Sequence, residues 1–347
     1  MKLALLNLSN NITNYKTVSS WETVSFWKVF EDMGYDVDII SKKAGEYTIA
    51  FEDVEDINSY DKLVMVNGAI NFFGGKENPI ITKNYQLLAK WEKEIYYLFT
   101  DIRLPFKQLW PAIEKRGWGY DKEDVWVDND IIVISQGSDL DETKKAHKDE
   151  DYEYVYFPIE QYYLYLMGDQ YATPIEKKHD LVYGGSYRSG AREDKMIEYL
   201  FDITEYDVNF FGNIREKQFK NATYNSAPTF DKKVKMDEVR DKISEGIATL
   251  IIGDKKYEDN FITLRVWETM TSDAIMLIDK DFDSEQKIMQ DGFYYVENKQ
   301  DVIDRLKLLQ DDEFRKKKLE QQHMRVVIHF DEETWLIKFK EVLNTWK

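Results

Sequence analysis

Short apolar runs alternate with amphipathic stretches along this chain. The runs at 2–8, 37–40, 63–66, 95–99, 131–135 and 155–157 have the length and continuity of strands buried on both faces. Between them, apolar positions recur at helical spacing over 21–33, 83–93 and 141–147. Strand–helix alternation of this kind predicts a parallel, doubly wound sheet. A helix over 159–167 follows, and the polar stretch 168–178, which carries Pro174, reads as a linker. The pattern then restarts, with strands at 181–183, 208–211, 248–252 and 274–277 and helices over 190–201, 261–271 and 302–309. The tail from about 314 to 347 is helical, with a break near His329 and Phe330. The expected architecture is α/β: two Rossmann-like domains at 1–168 and 169–324, with the last helix, about 325–347, packing back on the first. No internal repeat or low-complexity segment interrupts it.

Two such domains put a cleft between them, and ligands of doubly wound sheets sit beyond the carboxyl ends of the strands. The loops of interest are therefore 7–20, 67–75, 100–106, 184–192, 212–217 and 253–261.

Composition narrows the chemistry. The chain has 347 residues and no Cys, so disulfides, thiolate catalysis and Cys-based zinc sites are excluded. Its four His, at 147, 179, 323 and 329, include no pair at a helical metal-ligand spacing. No stretch approaches the roughly 20 apolar residues that span a bilayer. The apolar start is broken at Asn7, shorter than a signal-peptide core, so a cytoplasmic, unprocessed protein without a membrane partner is expected. The formal charge is -18, which argues against nucleic acid when taken alone. Charge footprints are local, however, and Arg188, Arg192, Arg215, Lys217, Lys220, Lys232, Lys233 and Lys235 gather in the second half.

Three segments carry candidate chemistry. Gly184-Gly185-Ser186-Tyr187-Arg188-Ser189-Gly190-Ala191-Arg192 follows a strand and opens a helix. Glycines let a ligand approach the backbone, helix N–H groups favour an anion, and two Arg four apart on one turn would face it together. This reads as a diphosphate cradle; the plainer reading is a tight turn with two surface arginines. Arg265 and Glu268 lie three apart on a helix, where the carboxylate can accept from ribose hydroxyls and the Arg can face a phosphate or base. Alone, they read as a surface ion pair of little worth. Asp101 sits just past an apolar strand, placed as a general base or as a helix N-cap, and Glu22 at the start of the first helix has the same ambiguity. The Asn71-Phe72-Phe73-Gly74-Gly75 loop suits a base- or sugar-contacting segment or aromatics folded into the core. The DXD triplets from 128, 149, 279 and 281 are expected by chance among 65 acidic residues and read as solvated acid, and the run 315–318 as a solvated basic helix face.

Five stretches resemble the DNA beta-glucosyltransferases of the T-even bacteriophages. They are YYLFTDIRLPF (96–106), FPIEQ (157–161), YGGSYRS (183–189), FFGNIREKQFKN (210–221) and LIIGDKKYEDNFITLRVWETM (250–270). The resemblance runs almost end to end. It implies a GT-B fold with the UDP-sugar in the C-terminal domain and DNA across the cleft. It implies inverting transfer of glucose to 5-hydroxymethylcytosine in duplex phage DNA, which protects that DNA from host restriction. Asp101 falls on the catalytic base. Gly185, Ser186, Arg188 and Arg192 fall in the diphosphate-binding segment, Tyr257 near it, and Arg265 and Glu268 on nucleotide contacts. Glu22 and Asp254 fall near the sugar, and Asn71, Phe72, Phe73, Gly74 and Arg103 in segments expected at the DNA. A divalent ion, Mg²⁺ or Mn²⁺, is implied near the diphosphate, with no ligands assigned. The implied setting is the cytoplasm of the infected bacterium, and the implied state a monomer.

Three departures stand out, one of them the stretch from Val125 to Asp130. Trp21 precedes Glu22 where family members carry a small residue, a ring that would narrow the sugar pocket and favour a pentose such as arabinose from UDP-arabinose. The acidity is unlike the family's basic character. The alternatives are thus a pentosyl transferase on the same base, a UDP-sugar transferase with a non-DNA acceptor, and a non-catalytic DNA-binding protein, the last opposed by the presence of Asp101.

Overall fold

The computed structural model describes residues 1–6, 12, 21–41, 43–66, 91, 93, 95–99, 130–135, 153–166, 171–253, 263–329 and 332–345. The chain divides into two compact units, one of residues 1–166 and 332–347, the other of residues 167–331.

The first unit holds a seven-stranded, fully parallel sheet. Its strands are β1 (Lys2–Leu6), β2 (Asp36–Ser41), β3 (Ile49–Ala50), β4 (Lys62–Val66), β5 (Ile95–Phe99), β6 (Asp130–Ser135) and β7 (Glu153–Tyr156), in the order β3-β2-β1-β4-β5-β6-β7. The central strands are apolar without alternation because both faces are covered: Leu3 to Leu6 and Leu63 to Val66 are all buried. Leu3 sits opposite Val37 on one side and Lys62 on the other. Lys62 is buried too, its ammonium 4.8 Å from the centre of the Tyr96 ring. Helix α1 (Trp21–Asp32) buries Val24, Phe26, Trp27, Val29 and Phe30, and α2 (Ile159–Leu166) packs against it. The strand predicted to include Phe157 ends at Tyr156. Pro158 cannot donate to a ladder, and Phe157 turns into the core to stack on Phe339 at 4.3 Å. Helices predicted at 141–147 and over most of 83–93 lie outside the described residues.

The second unit holds a six-stranded parallel sheet. Its strands are β8 (His179–Ser186), β9 (Val208–Asn213), β10 (Thr229–Phe230), β11 (Gly246–Ile251), β12 (Ile275–Asp279) and β13 (Tyr295–Val296), in the order β10-β9-β8-β11-β12-β13. Its helices are α3 (Ala191–Leu200), α4 (Val239–Ser244), α5 (Leu264–Met270), α6 (Lys299–Leu309) and α7 (Asp312–His329). The two-residue edge strands β3, β10 and β13 and the short α4 have no apolar period of their own, and the hydrophobic pattern does not predict them.

Helix α7 stays with the second unit along its whole length, and α8 (Glu332–Asn344) belongs to the first. The return therefore begins at 332 rather than about 325. Gln322 of α7 is fully buried, accepting from Met276 N and donating to the carbonyls of Thr269 and Ala274. Arg325, one turn on, donates to the carbonyls of Lys287 and Ile288. A helix bonded this way cannot leave its sheet until after these residues.

Candidate functional site

The second unit gathers its charged and glycine-rich segments at the carboxyl ends of β8, β9 and β11. The backbone ends of β8 and β9 run side by side, with Gly184 opposite Phe211, Gly185 opposite Gly212 and Ser186 opposite Asn213. Gly212 has φ +112°, and a Cβ there would lie 2.1 Å from the Gly185 carbonyl oxygen. Only glycine fits that approach. A Cβ on Gly184 would fall 2.4 Å from the Phe211 ring, so the bare residue is what lets that ring lie across the end of β8.

Phe211 in turn supports Arg265, whose guanidinium carbon sits 5.6 Å from the ring centre. Arg265 Nη1 lies 3.2 Å from Glu268 Oε2. The shared helix face predicted for this pair is present, but the surface ion pair is not: the Glu268 side chain is only 4% exposed. Burial raises its pKa above the ordinary glutamate value, against the opposing pull of Arg265 and then Arg240.

Arg192 approaches from the other side. Gly190 takes φ +86° and acts as the N-cap, so α3 starts at Ala191. This corrects the picture of two arginines on one first turn: Arg192 is in the helix, half-buried, while Arg188 lies in the preceding loop, exposed. Arg192 Nη2 donates to the Ile252 carbonyl at 3.3 Å, tying α3 to the end of β11. Its buried Nε has no hydrogen-bond partner among the described residues, and buried Arg265 Nη1 makes no formed hydrogen bond there either. Tyr183, which the motif search does not single out as a site residue, is buried where both guanidiniums act on it. Burial raises its pKa and Arg192 and Arg265 oppose that rise. Its sequence signal is its place as the last apolar residue before Gly184 and Gly185.

Gly185 and Ser186 close β8, half-buried and exposed respectively. The arrangement thus brings together two guanidiniums, buried nitrogens without a hydrogen bond, a helix N-terminus and a buried carboxylate. Such a set binds an anion beside a polyol. Among the described residues no group of three or more His, Asp or Glu is placed to hold a metal ion. The DXD triplets of 279–283 are solvated only in part: Asp281, shared by both, is exposed as expected, but the outer two acids are not. Asp279 is buried, bonded to Lys195 and Tyr199, and buried Asp283 accepts from Lys287 N, Ile288 N and Tyr295. The 315–318 run is also partly structural, since Lys318 pairs with Asp291 and lies over Phe293.

In the first unit, Trp21 and Glu22 open α1, both half-buried. The Trp21 ring packs on Tyr163 of α2 at 6.2 Å. Asp101, Arg103, Asn71, Phe72, Phe73, Gly74, Asp254 and Tyr257 lie outside the described residues.

A family model described as bacteriophage T4 beta-glucosyltransferase matches residues 1–163. The chain is 52% identical over 330 residues to the DNA beta-glucosyltransferase of Enterobacteria phage T4, covering 93% of each. It is similar to the structure of T4 phage BGT in complex with UDP and Mn²⁺, with TM-score 0.81, 50% identity and coverage of 98% of this chain and 99% of that one. It is similar also to T4 phage BGT in complex with its UDP-glucose substrate, with TM-score 0.80, 48% identity and the same coverage. An alpha-glucosyltransferase in complex with UDP and a 13-mer DNA containing an HMU base shares the fold, at TM-score 0.60, 12% identity and coverage of 99% of each chain.

Proposed function

Because this chain belongs to the bacteriophage T4 beta-glucosyltransferase family, we propose that it is an inverting glycosyltransferase that moves glucose from UDP-glucose to the hydroxymethyl oxygen of 5-hydroxymethylcytosine in duplex DNA. The observation that carries this reading to the chain's own residues is the pair of half-buried guanidiniums, Arg192 and Arg265, each with a buried nitrogen that makes no hydrogen bond among the described residues, beside buried Glu268. The diphosphate takes those donors, with Arg188, Ser186 and the backbone at Gly185 completing the cradle and Tyr257 near it. Glu268 receives the ribose hydroxyls. Glu22 and Asp254 hold the sugar. Asp101 removes the proton from the acceptor oxygen as that oxygen attacks the anomeric carbon and the bond to UDP breaks. The charge left on UDP is met by arginines already in place.

The base must leave the stack to react, and Asn71, Phe72, Phe73, Gly74 and Arg103 are the residues proposed at the DNA. A divalent ion, Mg²⁺ or Mn²⁺, fits a donor set with no carboxylate cluster among the described residues if the diphosphate itself supplies most of its ligands. Bound there, it would neutralise charge on the departing UDP. The UDP-glucose complex of T4 phage BGT supports a hexose donor over the pentose suggested by Trp21, and the packing of that ring on Tyr163 gives it a structural use. The protein is proposed to act as a monomer in the cytoplasm of the infected bacterium, where glucosylated cytosine covers the major-groove edge that restriction nucleases read.

Asp101→Asn tests the assignment. It is expected to abolish transfer while UDP and DNA binding persist; full transfer by this variant would refute Asp101 as the base.

A further inference from the structure

The segments leaving the carboxyl ends of β9 and β10 carry cations that the donor site does not use. Arg215, Lys217, Lys220, Lys232, Lys233 and Lys235 are all exposed. Elsewhere in this unit, Lys177, Lys178, Lys195, Lys242, Lys280 and Lys318 each meet a carboxylate, while Lys299, Lys307, Lys316 and Lys317 on the helices form no ion pair among the described residues. None of the exposed group forms an ion pair among the described residues. Arg215 Nη1 is spent on the carbonyls of Gly212 and Ile214, and the nearby Asp231 carboxylate is taken by Lys242. In a chain of formal charge -18, a stretch of unmatched cations needs a reason.

The two segments form one patch, and it borders the cradle. Phe219, between Lys217 and Lys220, packs on Phe210 at 6.2 Å and on Phe230 at 6.1 Å, and Phe230 directly precedes the segment with Lys232, Lys233 and Lys235. The same Phe219 takes the edge of Tyr187 at 5.4 Å, and Tyr187 lies between Ser186 and Arg188. The charges therefore flank the anion-binding loop on its β9–β10 side.

We propose that this patch is the track for the sugar-phosphate backbone of the acceptor duplex on the second unit. The proposal rests on the DNA-acceptor reading above and adds to it a surface. Long flexible ammonium groups suit phosphates whose positions carry no sequence information. Having no carboxylate partners among the described residues, these groups need break no such ion pair when a phosphate arrives. The same stretch carries the carboxylates of Glu216, Asp231, Asp237 and Glu238, which the six cations outnumber, and acid more than a Debye length away, about 8 Å in physiological salt, is screened, so a local patch works on an acidic protein.

The test measures binding of the full chain, saturated with UDP, to a duplex containing 5-hydroxymethylcytosine between about 50 and 200 mM salt. The parent is compared with Lys232→Ala/Lys233→Ala/Lys235→Ala, with the same three positions as Arg, and with Lys316→Ala/Lys317→Ala, exposed on α7. The triple Ala variant is expected to lower the log–log salt slope by about 2–3. Its KM for DNA rises while kcat at saturating DNA and KM for UDP-glucose hold, the Arg variant keeps the parent slope, and the α7 pair leaves it unchanged. A triple Ala variant with the parent's slope and KM for DNA overturns the proposal and leaves the transferase reading intact. A parent that binds UDP but neither binds nor modifies the duplex overturns both.

Discussion

Glu268 Oε2 lies 3.2 Å from Arg265 Nη1 on one turn of α5, the carboxylate buried and the guanidinium resting on Phe211. The pair is held from both sides, which fixes an acceptor for hydroxyls and a cation for phosphate within one helical turn. Its titration is therefore a readout of donor binding. Burial raises the Glu268 pKa above its ordinary 4.5. Ribose hydroxyls donate to the carboxylate, so UDP affinity should begin to fall, as the pH is lowered, before 4.5 is reached. Ligand-free stability moves the other way: with a raised folded pKa, this group's contribution is full below 4.5 and is lost as the pH rises through the folded value. Calorimetric titration of UDP across pH is expected to show the fall, and Glu268→Gln to flatten it while weakening UDP binding near neutrality about 10-fold or more.

Arg192 is expected to bind the diphosphate through a donor that the described protein leaves free. Arg192→Ala should weaken UDP about 10- to 100-fold, the worth of one or two hydrogen bonds to a charged group. Arg192→Lys should recover part of this, since it restores charge but not the planar fork. Equal UDP affinity in all three proteins would contradict the assignment.

Both parallel sheets were legible in the sequence because their strands are buried on two faces, as at Leu63 to Val66 and Gly246 to Ile251, and read as unbroken apolar runs. What was hidden depends on contacts between segments distant in sequence. Nothing in Arg265 and Glu268 tells a surface pair from a buried one, and the ring under Arg265, Phe211, comes from β9, far off in sequence. Asp279 and Asp283 read as solvated for the same reason, since Lys195, Tyr199 and Tyr295 come from elsewhere. The helix start was misread by one residue because Gly190's φ of +86° is not visible in the letter G. Arg188 precedes both starts, so the spacing of four that suggested one turn does not apply to it.

Gly212 sets the close approach of β8 and β9. Gly212→Ala forces a side chain into a φ of +112° and against the Gly185 carbonyl. A destabilisation of more than about 2 kcal/mol is expected from backbone strain plus overpacking. Thermal unfolding of the variant measures it, and an unchanged Tm would show that this approach is looser than described.

The return helix α8 is held by rings. Phe339 stacks on Phe157 at 4.3 Å and meets Phe26 at 6.0 Å. Phe339→Ala removes the fully buried ring at the centre and should cost about 3–5 kcal/mol. Limited proteolysis is expected to cut near the start of α8 far sooner than in the parent, while UDP binding by the second unit persists.

The most direct measurement is mass spectrometry of nucleosides after the protein is incubated with 5-hydroxymethylcytosine DNA, a divalent ion, UDP-glucose and UDP-arabinose together. A hexose adduct on hydroxymethylcytosine, lost in Asp101→Asn, is the expected result. A pentose adduct in its place would contradict the donor assignment and make Trp21 the gate. UDP release with no adduct on DNA would contradict the central claim, leaving a donor site whose acceptor is something else.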